Sequence, residues 1–79
     1  MKEIKLEEGQ VWQKKGTLDV RTIHGIGRSF IAYTDIGRTE KTMKIKSFRQ
    51  WIRRNKGSKN EVKLIGHYDF KTGKVRAVR

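Results

Sequence analysis

Apolar side chains in this chain recur at every second position, in runs of a few residues, and glycine closes most of the runs. Alternation of that kind puts one face of a strand inside and the other in solvent. Gly9 opens Gln10-Val11-Trp12-Gln13-Lys14-Lys15, a strand closed by Gly16. Val11 and Trp12 point to opposite faces, so only one is expected to be fully inside, and Trp12 is the expected core member. From Thr17 onward, Leu18, Val20 and Thr22 share one face, and Asp19 and Arg21 the other. Ile23 breaks that parity, which signals a bulge or the strand's end. His24-Gly25-Ile26-Gly27 reads as a turn. Arg28 to Thr34 carries Phe30 and Ala32 on one face and Ile31 and Tyr33 on the other. A strand apolar on both faces is expected in the middle of a sheet. Asp35-Ile36-Gly37-Arg38 is a second turn. Thr39 to Lys46 follows, with Met43 and Ile45 inward and Lys44 and Lys46 outward.

The alternation then stops. In Lys44 to Lys59, Phe48, Trp51 and Ile52 are spaced i, i+3, i+4, which places all three on one side of a helical turn. Ser47 stands where an N-cap belongs, and Asn55-Lys56-Gly57 where a helix ends. A short helix is expected near 47–55, with Trp51 as its structural anchor. Strand pattern resumes after the loop Ser58-Lys59-Asn60: Val62, Leu64, Gly66, Tyr68 and Phe70 on one parity, Lys63, Ile65, His67 and Asp69 on the other. Lys71-Thr72-Gly73-Lys74 is a tight hairpin turn, and Val75 to Val78 runs back along the preceding strand. Residues 1–8, with Ile4 and Leu6 alternating, form a lead-in or an edge strand.

Residues 1–79 thus form one mainly β domain of five to six short antiparallel strands with one short helix. So short a chain is too small for a two-sheet sandwich. A strongly bent SH3-like or OB-like barrel resolves its edges best. The runner-up is an open three-stranded sheet with a helix on one face, followed by a hairpin. Gly9-Gln10-Val11-Trp12, then lysines and Gly16, a strand, a glycine turn, and two strands ending near Ser47-Phe48, resembles small SH3-like barrel proteins of bacteria and their phages, many of which open with a Gly-Gln-Val-Trp strand. The resemblance covers residues 8–54, and the hairpin from Glu61 to Arg79 lies outside it. It implies the fold and a phage or mobile-element origin, and carries no function.

Function is addressed by charge. The net charge is +12 and unevenly placed: residues 1–40 hold seven Lys and Arg against six acids, residues 41–79 thirteen against two. No acid occurs between Glu40 and Glu61. Concentrated positive charge favours a polyanionic partner. The expected nucleic-acid-binding residues are Lys44, Lys46, Arg49, Arg53, Arg54, Lys56 and Lys59, joined by Lys71, Lys74 and Arg76 of the hairpin. On a helical wheel Arg53 and Arg54 fall away from Phe48 and Trp51. Duplex DNA, held mainly through phosphates with little sequence preference, is expected over RNA. Tyr33, Tyr68 and Phe70 are the rings that would serve single strands by stacking. Lys14 and Lys15, in the nearly neutral half, are expected to matter less. The alternative is a phage or mobile-element adaptor that docks on an acidic surface of a host protein.

Other chemistry has little support. His24 and His67 have no Cys beside them, and the acids lack metal-ligand spacing. Gly25-Ile26-Gly27-Arg28 lacks the third glycine of a phosphate-binding loop. No serine sits in a catalytic motif. No enzyme, cofactor or metal is expected. The chain has no cysteine, no apolar run of signal-peptide length and no membrane-spanning segment. A cytoplasmic protein is expected, on the nucleoid if it binds DNA.

Overall fold

A computed structural model describes residues 5–77. Six strands and one helix follow in order: β1 (Gln10–Lys14), β2 (Val20–Ile26), β3 (Phe30–Thr34), β4 (Glu40–Lys44), α1 (Ile45–Arg54), β5 (Val62–Asp69) and β6 (Lys74–Ala77). All pairings are antiparallel, in the order β4-β3-β2-β1-β5-β6. β3 lies between two partners, as expected, but only its Ile31 and Tyr33 face is buried, and Phe30 on the other face is exposed. β4 and β6 are edges, so the sheet is open where a closed barrel was expected. The helix on one face and the trailing hairpin match the runner-up arrangement, but the sheet is twice as wide because β1 takes β5 as its second neighbour. Ile4, Val78 and Arg79, assigned from sequence to the lead-in and the last strand, lie outside the described residues.

One face of the sheet packs on α1. Trp12, Ile23, Ile31, Tyr33, Phe48, Trp51, Ile52 and Val62 form the buried cluster, with Leu6, Met43, Ile45 and Leu64 packed against it. Phe48 meets Trp51 and Tyr33 edge-on, at centroid distances of 5.4 and 6.2 Å. The i, i+3, i+4 face read from sequence is thus the face that is buried.

The faces of β2 are the reverse of the expected ones. Ile23 pairs with Tyr33 and points with it into the core. Arg21 shares that side, and its guanidinium lies 3.9 Å from the Trp51 ring centroid. Leu18 precedes the strand and is exposed. The irregularity read at Ile23 is real and falls between Ile23 and Gly25. It lets β2 run on to Ile26, so His24-Gly25-Ile26 is strand, and the turn is Arg28-Ser29, closed by the Gly27 N–H to the Phe30 carbonyl at 2.8 Å.

β5 also changes faces. Trp12 pairs with Leu64 but Val11 with Gly66, so Ile65 is the extra residue of a bulge. Val62 and Leu64 face the helix; Gly66 and Tyr68 face the other way. Val11 and Trp12 are both buried. Trp12 enters the core, and Val11 is covered on the opposite face in a groove with Tyr68 and Val75.

The expected strand 39–46 stops at Lys44, and the helix starts at Ile45, two residues before the expected start. Lys44 occupies the N-cap position without a side-chain cap, and Ser47 is inside the helix. The Ile45 N–H donates instead to the Ser29 carbonyl at 2.9 Å. A neighbouring turn satisfies what a capping hydroxyl usually does. The helix ends as expected: Asn55 is the C-cap, its side-chain amide donates to the Trp51 carbonyl at 2.8 Å, and Gly57 has φ +76°.

Candidate nucleic-acid interface

The ten expected cations fall into two sets. Lys44 ends β4, Lys46, Arg49, Arg53 and Arg54 lie on α1, and Lys56 and Lys59 occupy the loop to β5. Residues 100° apart around a helix put Lys46, Arg49 and Arg53 along one flank of the buried stripe. With Ile45 and Gln50 they line a shallow groove. Arg54 projects from a different side of the helix. Both Arg53 and Arg54 are exposed while Trp51 and Ile52 are buried, so charge and anchor coexist on one turn. The second set, Lys71, Lys74 and Arg76, sits on the β5–β6 hairpin, at the opposite edge of the sheet from β4 and Lys44. The structure does not merge the two sets.

Among the described residues, Glu7, Asp19, Asp35 and Glu61 each hold an ion-pair partner, and Glu61 closes the same loop as Lys56 and Lys59. Asp19 pairs with Arg21 at 3.3 Å, Asp35 with Lys41 at 3.1 Å, Glu7 with Lys5 at 3.4 Å, and Glu61 with Lys63 at 3.9 Å. Among the described residues, no carboxylate stands within ion-pair distance of Lys44, Lys46, Arg54, Lys56 or Lys59.

Sequence order hid two further basic groups. The Lys15 N–H donates to the Glu61 carbonyl at 3.0 Å, and the Asn60 side-chain amide donates to the Lys15 carbonyl at 2.8 Å. Lys15 thus lies beside the loop that carries Lys56 and Lys59, and it is not remote from the site as its place in the neutral half suggested. Likewise the Ser29–Ile45 bond puts the Arg28-Ser29 turn at the start of α1. Both contacts join residues far apart in sequence, and no local pattern signals them.

Of the three rings considered for stacking, Tyr33 is buried in the core, Tyr68 is half-buried and Phe70 is exposed. His24 shares a hydrogen bond with the Thr34 hydroxyl at 2.9 Å. Among the described residues, no three of His, Asp and Glu gather around one point, and no helix is long and apolar enough to cross a membrane. Comparison of the chain with models of protein families, with curated proteins and with solved structures gives no match.

Proposed function

We propose that this is a small basic nucleic-acid-binding protein, without catalytic activity, that holds duplex DNA chiefly through phosphates. The observation that carries the reading is the flank of α1: Lys46, Arg49 and Arg53 in one row, with Arg54 on another side of the last turn and Lys56 and Lys59 past the helix end. Each cation that neutralises a phosphate releases condensed counterions, which favours binding and makes it salt-sensitive. A helix packed rigidly by Phe48, Trp51 and Ile52 presents those charges without first having to order them. In the same reading residues 8–54 are SH3-like, as the Gly9–Trp12 opening suggests, and the hairpin from Glu61 onward is an addition to that pattern. Cytoplasmic location and a phage or mobile-element origin belong to the proposal too.

The test is a mobility shift with duplex DNA, duplex RNA and single-stranded DNA, together with a pull-down from nuclease-treated lysate. Duplex DNA is expected to shift most strongly, and nuclease is expected to remove all partners. One protein retained after nuclease, with no DNA shift, would favour the adaptor that docks on an acidic host surface.

A further inference from the structure

Phe70 opens the hairpin loop and is held by two neighbouring rings. Its ring meets Tyr68 edge-on at a centroid distance of 5.1 Å, and lies tilted against His24 at 5.3 Å. A Cβ built at Gly9, whose φ is +90°, would stand 3.8 Å from Phe70 Cε2, so the backbone there runs near the ring. Yet Phe70 remains 48% exposed. Single exposed apolar side chains are ordinary on a protein surface; what marks Phe70 is that two neighbouring rings hold it while it stays open to solvent.

The surroundings of the ring say what kind of group would cover it. Phe70 lines a shallow groove with His67, Tyr68, Asp69, Lys71 and Arg76. Asp69 is occupied by the turn, where its Oδ1 accepts the Lys71 N–H at 2.8 Å. Its one negative charge stands against the two positive charges of Lys71 and Arg76, which leaves the groove net positive. A neutral apolar ligand would make no use of those charges. An acidic peptide would use the charges but would need an aromatic side chain of its own to cover Phe70. A nucleotide has both a flat π-face and a phosphate, and aromatic rings beside cations are how single strands are held.

We infer that Phe70, backed by His24 and Tyr68, is a stacking platform for an unpaired base, with Lys71 and Arg76 on the adjoining phosphates. This rests on the nucleic-acid reading of the chain but uses a surface separate from α1. A duplex with an unpaired stretch next to it would engage both.

The experiment compares two strands of equal length and charge, oligothymidylate and an abasic deoxyribose-phosphate strand, by fluorescence anisotropy. The native protein is expected to prefer oligothymidylate by roughly 5- to 150-fold, the range that one base stacked on one ring supplies. Phe70→Leu, which keeps an apolar side chain but removes the π-face, should erase the preference and leave binding of the abasic strand unchanged. Phe70→Ala should behave alike, with its melting temperature measured alongside to confirm the fold. Equal binding of both strands by the native protein overturns the platform while leaving the phosphate-binding reading intact. No binding of either strand or of duplex DNA overturns both.

Discussion

Trp51 is the side chain on which the stability of the helix turns. It is 8% exposed, meets Phe48 edge-on, and carries the Arg21 guanidinium over its ring. Trp51→Ala is expected to cost about 3–5 kcal/mol, a large part of a small domain's stability. Thermal or urea unfolding measures it, and an unchanged midpoint would mean that the ring is not packed. Arg21 is the companion case. Its guanidinium also lies 5.3 Å from the Tyr33 centroid, bonds Asp19 at 3.3 Å, and reaches the Met43 sulfur at 3.3 Å. Lysine keeps the charge but not the flat stacking group, so Arg21→Lys should lose about 1 kcal/mol; equal stability of the two proteins would mean the stack contributes nothing. Asp35 governs acid behaviour at the β3–β4 turn. The Thr39 N–H and then the Lys41 ammonium hold its carboxyl below the ordinary carboxylate value. The folded state therefore binds that proton less readily than the unfolded chain. Stability from this group is fully present above the ordinary value and is lost as pH falls through the lowered one. Below about pH 4 the native protein should lose stability more steeply than Asp35→Asn, and parallel acid profiles would show that Asp35 is not the group responsible.

At the level of elements, local chemistry was legible and long-range pairing was not. The helix could be read because Phe48, Trp51 and Ile52 repeat with helical spacing, and the hairpin because Gly73 supplies the positive φ, +72°, that its turn needs. The helix start was misplaced because its first N–H is satisfied by Ser29, far away in sequence. The faces of β2 were inverted because Arg21, polar in composition, packs through a flat cation on aromatic rings. β5 lost its parity at a bulge that only the pairing of Val11 and Trp12 reveals. The basic composition of the site was visible, but its separation into a helix set and a hairpin set depends on a strand order that no local pattern contains. Gly66 shows how tight the last pairing is: a Cβ there would stand 2.6 Å from the Arg76 carbonyl oxygen and 2.9 Å from Val75 Cγ1. Gly66→Ala is expected to part β6 from β5 and leave the α1-covered core folded. Hydrogen exchange should then speed up in the amides of β6 and in those of β5 that bond to it; uniform acceleration would mean the hairpin and core unfold together.

Over the whole molecule, the fold redistributes a charge that looked like a property of one half of the chain. Lys15 joins the loop after α1, Arg28 joins the helix start, and Lys71, Lys74 and Arg76 move away to the far edge. Duplex binding through the α1 side should then draw on about four to five phosphate contacts rather than on all ten expected cations, with a slope of log K against log salt of about −4. The decisive measurement is a salt titration of duplex binding for the native protein, Arg53→Ala/Arg54→Ala and Lys71→Ala/Lys74→Ala. The helix double variant should stay folded and flatten the slope by about one to two units, while the hairpin double variant should leave it nearly unchanged. Equal flattening by both variants, or native binding that ignores salt, would contradict a phosphate-binding face on α1.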